Sequence, residues 1–343
     1  MTEPSKSESG SRPYPLTFVP VLLEKVWGGD RLSRFGKPVA AGARIGESWE
    51  LADLAATSAS GAGGGAVRSV VDAGPMKGRT LRDVMAARGS DTAAGGLMGD
   101  ASPTADGGFP LLIKFLDARE NLSVQVHPSP AYAAEHADAH LKTECWYILD
   151  AEPGAVIYKG VKDGVTRERF AAALNEGDGR GVVDLMVAAP AVPGECHTLP
   201  SGTVHALGAG VLVAEVQTPS DTTFRVYDWG RKGRELHVEQ SLACIEWRPA
   251  PAPRARMAGQ MGMRLVDNEF FSVDEIALPD RGRMMVTAQA AAPVVVMVIN
   301  GAVTLEGAEE TELELGRTCL VPAAAAEGLR IVARGEAGVL VVR

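Results

Sequence analysis

Cysteine is scarce in this chain, and what there is does not pair. Cys145, Cys196, Cys244 and Cys319 are far apart and flanked by apolar residues. Without a CxxC, neither a zinc knuckle nor a dithiol redox motif is written here, so buried free thiols in a reducing compartment are expected. A basic surplus is also missing: 34 Lys and Arg face 43 Asp and Glu, for a net charge of -9. Nucleic acid is therefore not an expected partner, and an anionic small molecule would need a local cluster of Lys and Arg. No apolar run reaches roughly 18 residues, which excludes a spanning helix and a membrane partner. The opening MTEPSKSESGSRPYPLTF lacks the apolar core of a signal peptide. A cytoplasmic protein is expected, as a monomer or weak homo-oligomer.

The 343 residues, 46% hydrophobic and 22% charged, suffice for two ordinary domains with sizeable cores. Residues 1–13 are polar and read as a disordered tail. From Pro15 to Leu54 the chain suggests a strand, a turn at Gly28-Gly29, then loops and the segment RIGESWEL. Stretches 55–80 and 91–108, rich in Ala, Gly and Ser, suggest loose surface segments, with a helix on TLRDVMAARG between them. From Phe109 onward short apolar runs alternate with turn residues, the texture of an all-β sandwich or barrel. Two helices interrupt it: Pro130 to about His140, N-capped by Ser129, and Thr166 to Asn175, stopped by Gly177. Residues 247–258, WRPAPAPRARMA, read as a Pro-rich linker. Beyond it, VINGAVTLEG and LELGRTCLVPA suggest a second cupin-like jelly roll. The divisions are thus a domain over 14–246 with the site, the linker, and a domain over 259–343. No His follows His237, so the second unit is expected to hold no metal.

Of the six His, three fall within NLSVQVHPSPAYAAEHADAHLKTECWYIL, residues 121–149. Gln125 and His127 are two apart on a predicted strand and so share a face. Glu144 opens the apolar strand CWYIL, and His205 follows a turn in SGTVHAL. Converging on one point, two imidazoles, a carboxylate and an amide oxygen suit a borderline divalent ion, zinc first. For any one of these His taken singly, burial with a backbone partner is the commoner fate. His136 and His140, four apart on a predicted helix, are a competing pair. Their EHADAH context lacks the Glu of a metalloprotease helix and has the composition of a solvated face.

These motifs, in order, resemble the type I phosphomannose isomerases in their shorter bacterial branch. The resemblance rests on LEKVWGG, IGESWEL, LLIKFLDARENLSVQVHP, KTECWYIL, LPSGTVHALG and VQTPSDTTFRVYDWGR. It implies two cupin-like jelly rolls with a few short helices and zinc-dependent interconversion of mannose 6-phosphate and fructose 6-phosphate. It implies a zinc site of Gln125, His127, Glu144 and His205, with no role for His136 or His140. The chain departs from longer relatives in two places. No large helical insertion fits between Glu144 and His205, and Leu141 stands where fungal and enteric relatives have His before the Lys.

The resemblance also places Arg225, Lys142, Lys114 and Ser123 around a sugar phosphate. Arg225 would stabilise charge on an enediolate oxygen; its alternative is a structural pair with Asp221 or Asp228. Lys142, two residues before Glu144, faces the same cavity on an extended chain, unless it is simply solvated. Lys114 within LLIKFL and Glu215 within LVAEVQT are charges among apolar neighbours, expensive to bury without purpose. Trp27 is a further substrate-binding candidate, and Glu47 and Trp49 match family motifs in which structural roles serve as well. The general base is open between Lys142, Glu215 and a water on the metal. Isomerisation of another sugar, or a non-catalytic sugar-phosphate-binding regulator, would fit the same residues.

Overall fold

Antiparallel pairing between distant segments organises the chain, and local helices add little. The computed structural model describes residues 13–57, 62–87, 96–286, 292–307 and 309–343. The tail expected over 1–13 lies, Pro13 apart, outside the described residues.

Contacts divide the chain into two units. One takes Pro20–Ser69 and Phe109–Glu275 and is built mainly on two sheets. Its larger sheet runs, in spatial order, through Arg254–Ala255, Glu195–Leu199, Glu144–Ala151, Val211–Gln217, Leu112–Ala118, Val21–Gly29 and Ile45–Leu51. Its smaller sheet runs through Met186–Pro190, Val156–Val161, His205–Leu207, Val124–Val126 and Phe224–Tyr227. Strands such as Leu112–Ala118, buried at every position, have apolar side chains on both faces, which explains their near-continuous hydrophobicity. Trp27, Leu116, Trp146, Ile148, Leu207 and Val213 form one apolar cluster of this unit. A second, around Val124, Phe170, Val204 and Val226, backs the smaller sheet.

The other unit gathers the described residues of Val70–Gly108 and Ile276–Arg343 together with the N-terminal strand Leu16–Val19. Val296, Val298, Val303, Leu305, Ile331 and Val339 belong to its core. Its sheet is completed by the N-terminal strand, where Leu16 pairs with Leu320 and Phe18 with Val71. Division by contacts therefore differs from a linear cut at 247–258. Non-local strand pairing, which composition does not carry, joins the two ends of the chain. The Pro-rich stretch is likewise more than a connector, since Arg254–Ala255 pairs with Glu195 and Cys196. Segment 55–80 also contains paired strands, Val67–Arg68 and Val70–Val71.

Several local expectations hold. Thr80 and Asp83 close a capping box on helix Leu81–Ala86, although Gly89 lies outside the described residues. Thr166 caps Arg167–Asn175, and Gly177 takes a left-handed φ of 60°. Ser129 caps a helix that stops at Glu135. His136 is its C-cap and His140 lies beyond it, so the two do not share a helical face as expected. Gly28 and Gly29 sit within a strand rather than a turn. Glycine fits there because a Cβ on Gly28 would lie 2.4 Å from the Gly46 nitrogen, and one on Gly29 2.4 Å from the Asp117 carboxylate. Only the short helices Arg167–Asn175 and Gly181–Leu185 lie between Glu144 and His205, so no large insertion is present. The four cysteines are buried and free, and no described helix is long and apolar enough to cross a membrane.

Gly208 ends the strand that carries His205, at a tight crossing. A Cβ there would lie 2.0 Å from the Val156 carbonyl oxygen. Gly208→Ala is expected to destabilise by about 1–3 kcal/mol. Thermal melting should show a midpoint lowered by roughly 2–10 °C; an unchanged midpoint would mean that the crossing relaxes freely.

Candidate metal centre and cleft

The two sheets of the larger unit bring their facing residues together at one end. On the smaller sheet His205 pairs with Gln125, and Gln125 with Arg225, giving a row of three across adjacent strands. His127, two residues beyond Gln125, extends towards the same face. On the larger sheet Trp49 pairs with Lys114, Lys114 with Glu215, and Glu215 with Trp146. Glu144, two before Trp146, falls on that same face. The KTE segment is held in place by the LPSG turn: Ser201 Oγ accepts from the Lys142 backbone N–H at 2.9 Å, and Ser201 N–H donates to Thr143 Oγ1 at 3.2 Å.

His127, Glu144 and His205 each offer a ligand atom, and these atoms lie within 4.8 Å of one another. Hydrogen bonds fix which nitrogens face inward. His127 Nδ1 lies 3.0 Å from the Thr222 carbonyl and His205 Nδ1 2.8 Å from the Thr203 carbonyl. A carbonyl only accepts, so each Nδ1 carries the proton and each Nε2 presents a lone pair. Burial, followed by the nearby Lys142 ammonium, lowers the His127 pKa to about 3. Burial also lowers that of His205. Both rings are therefore neutral near pH 7. His205 Nε2 then meets Glu144 Oε1 at 3.2 Å, acceptor against acceptor, and that buried oxygen has no hydrogen-bond donor. A lone pair and a carboxylate oxygen meeting with no proton between them, beside a second imidazole lone pair, are what a cation requires. These residues fit a metal ion. Gln125 brings its amide nitrogen within 3.2 Å of His205 Nε2, and a half-turn of the amide would put its oxygen there instead.

Beside this cluster runs a chain of alternating charges. Lys142 Nζ donates to Glu144 Oε2, and lies 3.0 Å from His127 Nε2 and 3.9 Å from Glu215 Oε1. Glu215 accepts from Lys114 at 3.2 Å and from the Trp146 indole at 3.1 Å. Lys114 is 3.8 Å from Glu47, which accepts from the Trp49 indole at 2.7 Å and pairs with Lys25 at 3.2 Å. Burial pushes the Glu47 carboxyl up, but Lys25 and Lys114 outweigh it and hold it at about 2. Burial likewise works to raise Glu144, but the adjacent Lys142 ammonium, the largest opposing influence, holds it well below the usual carboxylate range. For Glu215, burial together with Glu144 prevails over Lys114 and Lys142, and its pKa is raised. Lys114 is raised despite burial, because Glu215 and Glu47 flank it.

A cleft with about 700 Å³ of open space reaches this chain, and Trp27, Ser123, Gln125 and Arg225 also line it. Trp27 serves the core too, since a Cβ on Gly46 would lie 2.6 Å from its ring. Arg225 donates from Nη1 to the Glu235 backbone oxygen at 2.7 Å, while its buried Nε has no partner. Asp228, one alternative partner for Arg225, accepts hydrogen bonds from Arg231 and Arg234 instead. The cleft thus collects all ten residues singled out from the sequence as site candidates, on its walls or at the adjoining cluster. His136 does not join them: its ring stacks on Tyr132 at 3.8 Å, and its Nδ1 lies 2.9 Å from the Tyr132 carbonyl. Sequence reasoning passed over Lys25, Thr223 and Arg234, which also line the cleft. The alternation of Lys25 with Trp27 and of Glu47 with Trp49 was a usable signal for the first. Arg234 lies in the irregular segment after Phe224–Tyr227, where no periodicity marks it.

Residues 24–158 match the family model for the catalytic domain of type I phosphomannose isomerase. Mannose-6-phosphate isomerase of Streptococcus mutans is 36% identical over 318 residues, which are 90% of this chain and 92% of that protein. Mannose-6-phosphate isomerase ManA of Bacillus subtilis is 40% identical over 238 residues, 68% of each chain. The crystal structure of a mannose 6-phosphate isomerase from Bacillus subtilis superposes with a TM-score of 0.78 at 30% identity, over 96% of this chain and 99% of that one. A mannose 6-phosphate isomerase solved with zinc and yttrium shares the fold, at a TM-score of 0.69 and 16% identity, over 95% and 98% of the two chains. Near-complete coverage of the Streptococcus relative, together with two neutral imidazoles and an ionised carboxylate suited to a metal ion, makes this chain a member of the type I phosphomannose isomerase family.

Proposed function

We propose that this chain interconverts mannose 6-phosphate and fructose 6-phosphate. The observation that carries the reading is the juxtaposition in one cleft of a cation-seeking His–Glu–His cluster and a buried, charge-matched Lys–Glu chain. Gln125, His127, Glu144 and His205 would hold a divalent metal, and two imidazoles with two oxygens favour zinc. The metal supplies a Lewis acid near the sugar oxygens. The remaining chemistry belongs to side chains. Glu215 takes the proton from C2; the C–H electron pair becomes the C1–C2 double bond, and charge moves to the aldehyde oxygen. Return of that proton to C1, with transfer of the O2 proton to O1, gives the ketose. A carboxyl whose pKa is raised by burial suits both halves of this exchange. Lys142, an ammonium beside Glu144, is a cation at the reacting end rather than a reader of phosphate. Arg225 faces the enediolate oxygen from the neighbouring strand.

A coupled assay on mannose 6-phosphate tests the reading, and no turnover by the metal-loaded chain would contradict it. Glu215→Gln is expected to keep its metal and lose about 10²–10⁴ in kcat, with loss of solvent deuterium incorporation into product. Arg225→Ala should keep metal and fold while losing about 10²–10³ in kcat, and Arg225→Lys should recover only part of it. If Glu215→Gln keeps wild-type kcat while Lys142→Ala abolishes exchange, Lys142 is the base. Metal content provides the second check. His127→Ala is expected to lose bound metal and His136→Ala to retain it; the reverse pattern would overturn the ligand assignment.

A further inference from the structure

The cations lining the cleft are not equally occupied. Lys25, Lys114 and Lys142 each lie beside a buried or nearly buried carboxylate, in the alternating chain through Glu47, Glu215 and Glu144. Arg231, just outside, is fully used: Nε and Nη2 bind Asp228 at 3.1 and 2.8 Å, and Nη2 also binds the Asn121 carbonyl at 2.7 Å. Arg234 differs. It shares Asp228 with Arg231 and does so through Nη1 alone, at 3.1 and 3.2 Å to the two carboxylate oxygens. Among the described residues its Nε and Nη2 have no hydrogen-bond partner. That leaves one edge of a planar fork, already oriented by Asp228, on a residue that lines the cleft.

Position points the same way. The His–Glu–His cluster is at most 1% exposed and Glu215 2%, whereas the Arg234 side chain is 25% exposed. A six-carbon sugar whose C1 and C2 oxygens sit at the buried cluster must carry its C6 substituent towards the open part of the cleft. Resting on the isomerase reading, we infer that Arg234 binds the phosphate of the substrate through its Nε–Nη2 edge and sets the preference for phosphorylated sugar. A phosphate ester bears nearly two negative charges at neutral pH, and a guanidinium edge matches two of its oxygens. Asp228 holds the fork in place, and Thr223, whose hydroxyl donates to the Asp221 carbonyl at 3.2 Å, also lines the cleft. Burial lowers the pKa of both Arg225 and Arg234, helped at Arg225 by Arg234 and Arg231, and at Arg234 by Arg231 against the opposing Asp228; a bound dianion relieves that crowding of positive charge.

The test uses the metal-loaded full chain and its Arg234→Gln, Arg234→Lys and Lys25→Gln variants. Titration calorimetry with inorganic phosphate and steady-state kinetics on mannose 6-phosphate are the two readouts. Arg234→Gln is expected to weaken phosphate and raise KM by about ten- to a hundredfold, with kcat lowered less than KM is raised. Arg234→Lys should recover part of the loss, and melting temperature and metal content should stay at wild-type values. An Arg234→Gln variant with KM and phosphate affinity within twofold of wild type overturns the inference. A fall in kcat alone, or a lowered melting temperature with metal loss, overturns it in favour of a structural role. Loss of phosphate binding in Lys25→Gln but not in Arg234→Gln would place the dianion on the opposite wall. Should the wild type bind phosphate through Arg234 yet fail to turn over mannose 6-phosphate, the isomerase reading fails and the anion site stands.

Discussion

A carboxylate with no water access and one oxygen lacking a donor, that of Glu144, is the constraint to which the rest of the larger unit answers. Desolvating such a group costs several kcal/mol unless cations and donors surround it. Lys142 supplies one cation directly, and a metal ion held with His127 and His205 would supply more. The Thr222 and Thr203 carbonyls fix the two imidazoles in the tautomer that leaves Nε2 free to ligate. The Ser201 hydroxyl, from the turn before His205, holds the backbone of Lys142. A buried cationic cluster would in turn be destabilising by itself. The alternation Glu144, Lys142, Glu215, Lys114, Glu47, Lys25 keeps each charge next to its opposite from the cluster outwards.

This arrangement serves the chemistry because its members differ in environment while sharing a cleft. Glu47 and Glu144, each outweighed by cations, stay ionised, whereas Glu215 is pushed the other way by burial and by Glu144. Three carboxylates on one sheet face therefore divide into two held ionised and one with a raised pKa, the division that the proposed proton transfer by Glu215 calls for. The two indoles that donate to Glu47 and Glu215, Trp49 and Trp146, hold those carboxylates in position and close the wall behind them.

Much of this was legible in the chain. Strand periodicity put Gln125 and His127 on one face, and the oddity of Lys114 and Glu215 among apolar residues marked each as a charge with a purpose, though not as partners of one another. Their cross-strand register, and the direct contact of Lys142 with Glu144, needed the paired sheets. Two kinds of feature escaped. Pairings between distant segments, such as Leu16 with Leu320, carry no local signal, so the N-terminal strand was not assigned to the C-terminal unit. The His136–His140 spacing suggested a helix face, but the helix ends at Glu135, because polar, Ala-rich sequence beyond it has no apolar stripe to pack. Arg234 escaped for a related reason: the role inferred for it rests on which edge of its guanidinium Asp228 leaves open, and that is decided by the fold of an irregular segment.

The most direct test of the metal centre is anomalous scattering at the zinc edge from crystals of the zinc-loaded chain. The account predicts one strong peak within about 2.0–2.2 Å of His127 Nε2, His205 Nε2 and a Glu144 oxygen, with the Gln125 amide oxygen turned towards it. A peak at His136, or none between His127 and His205, would contradict the account.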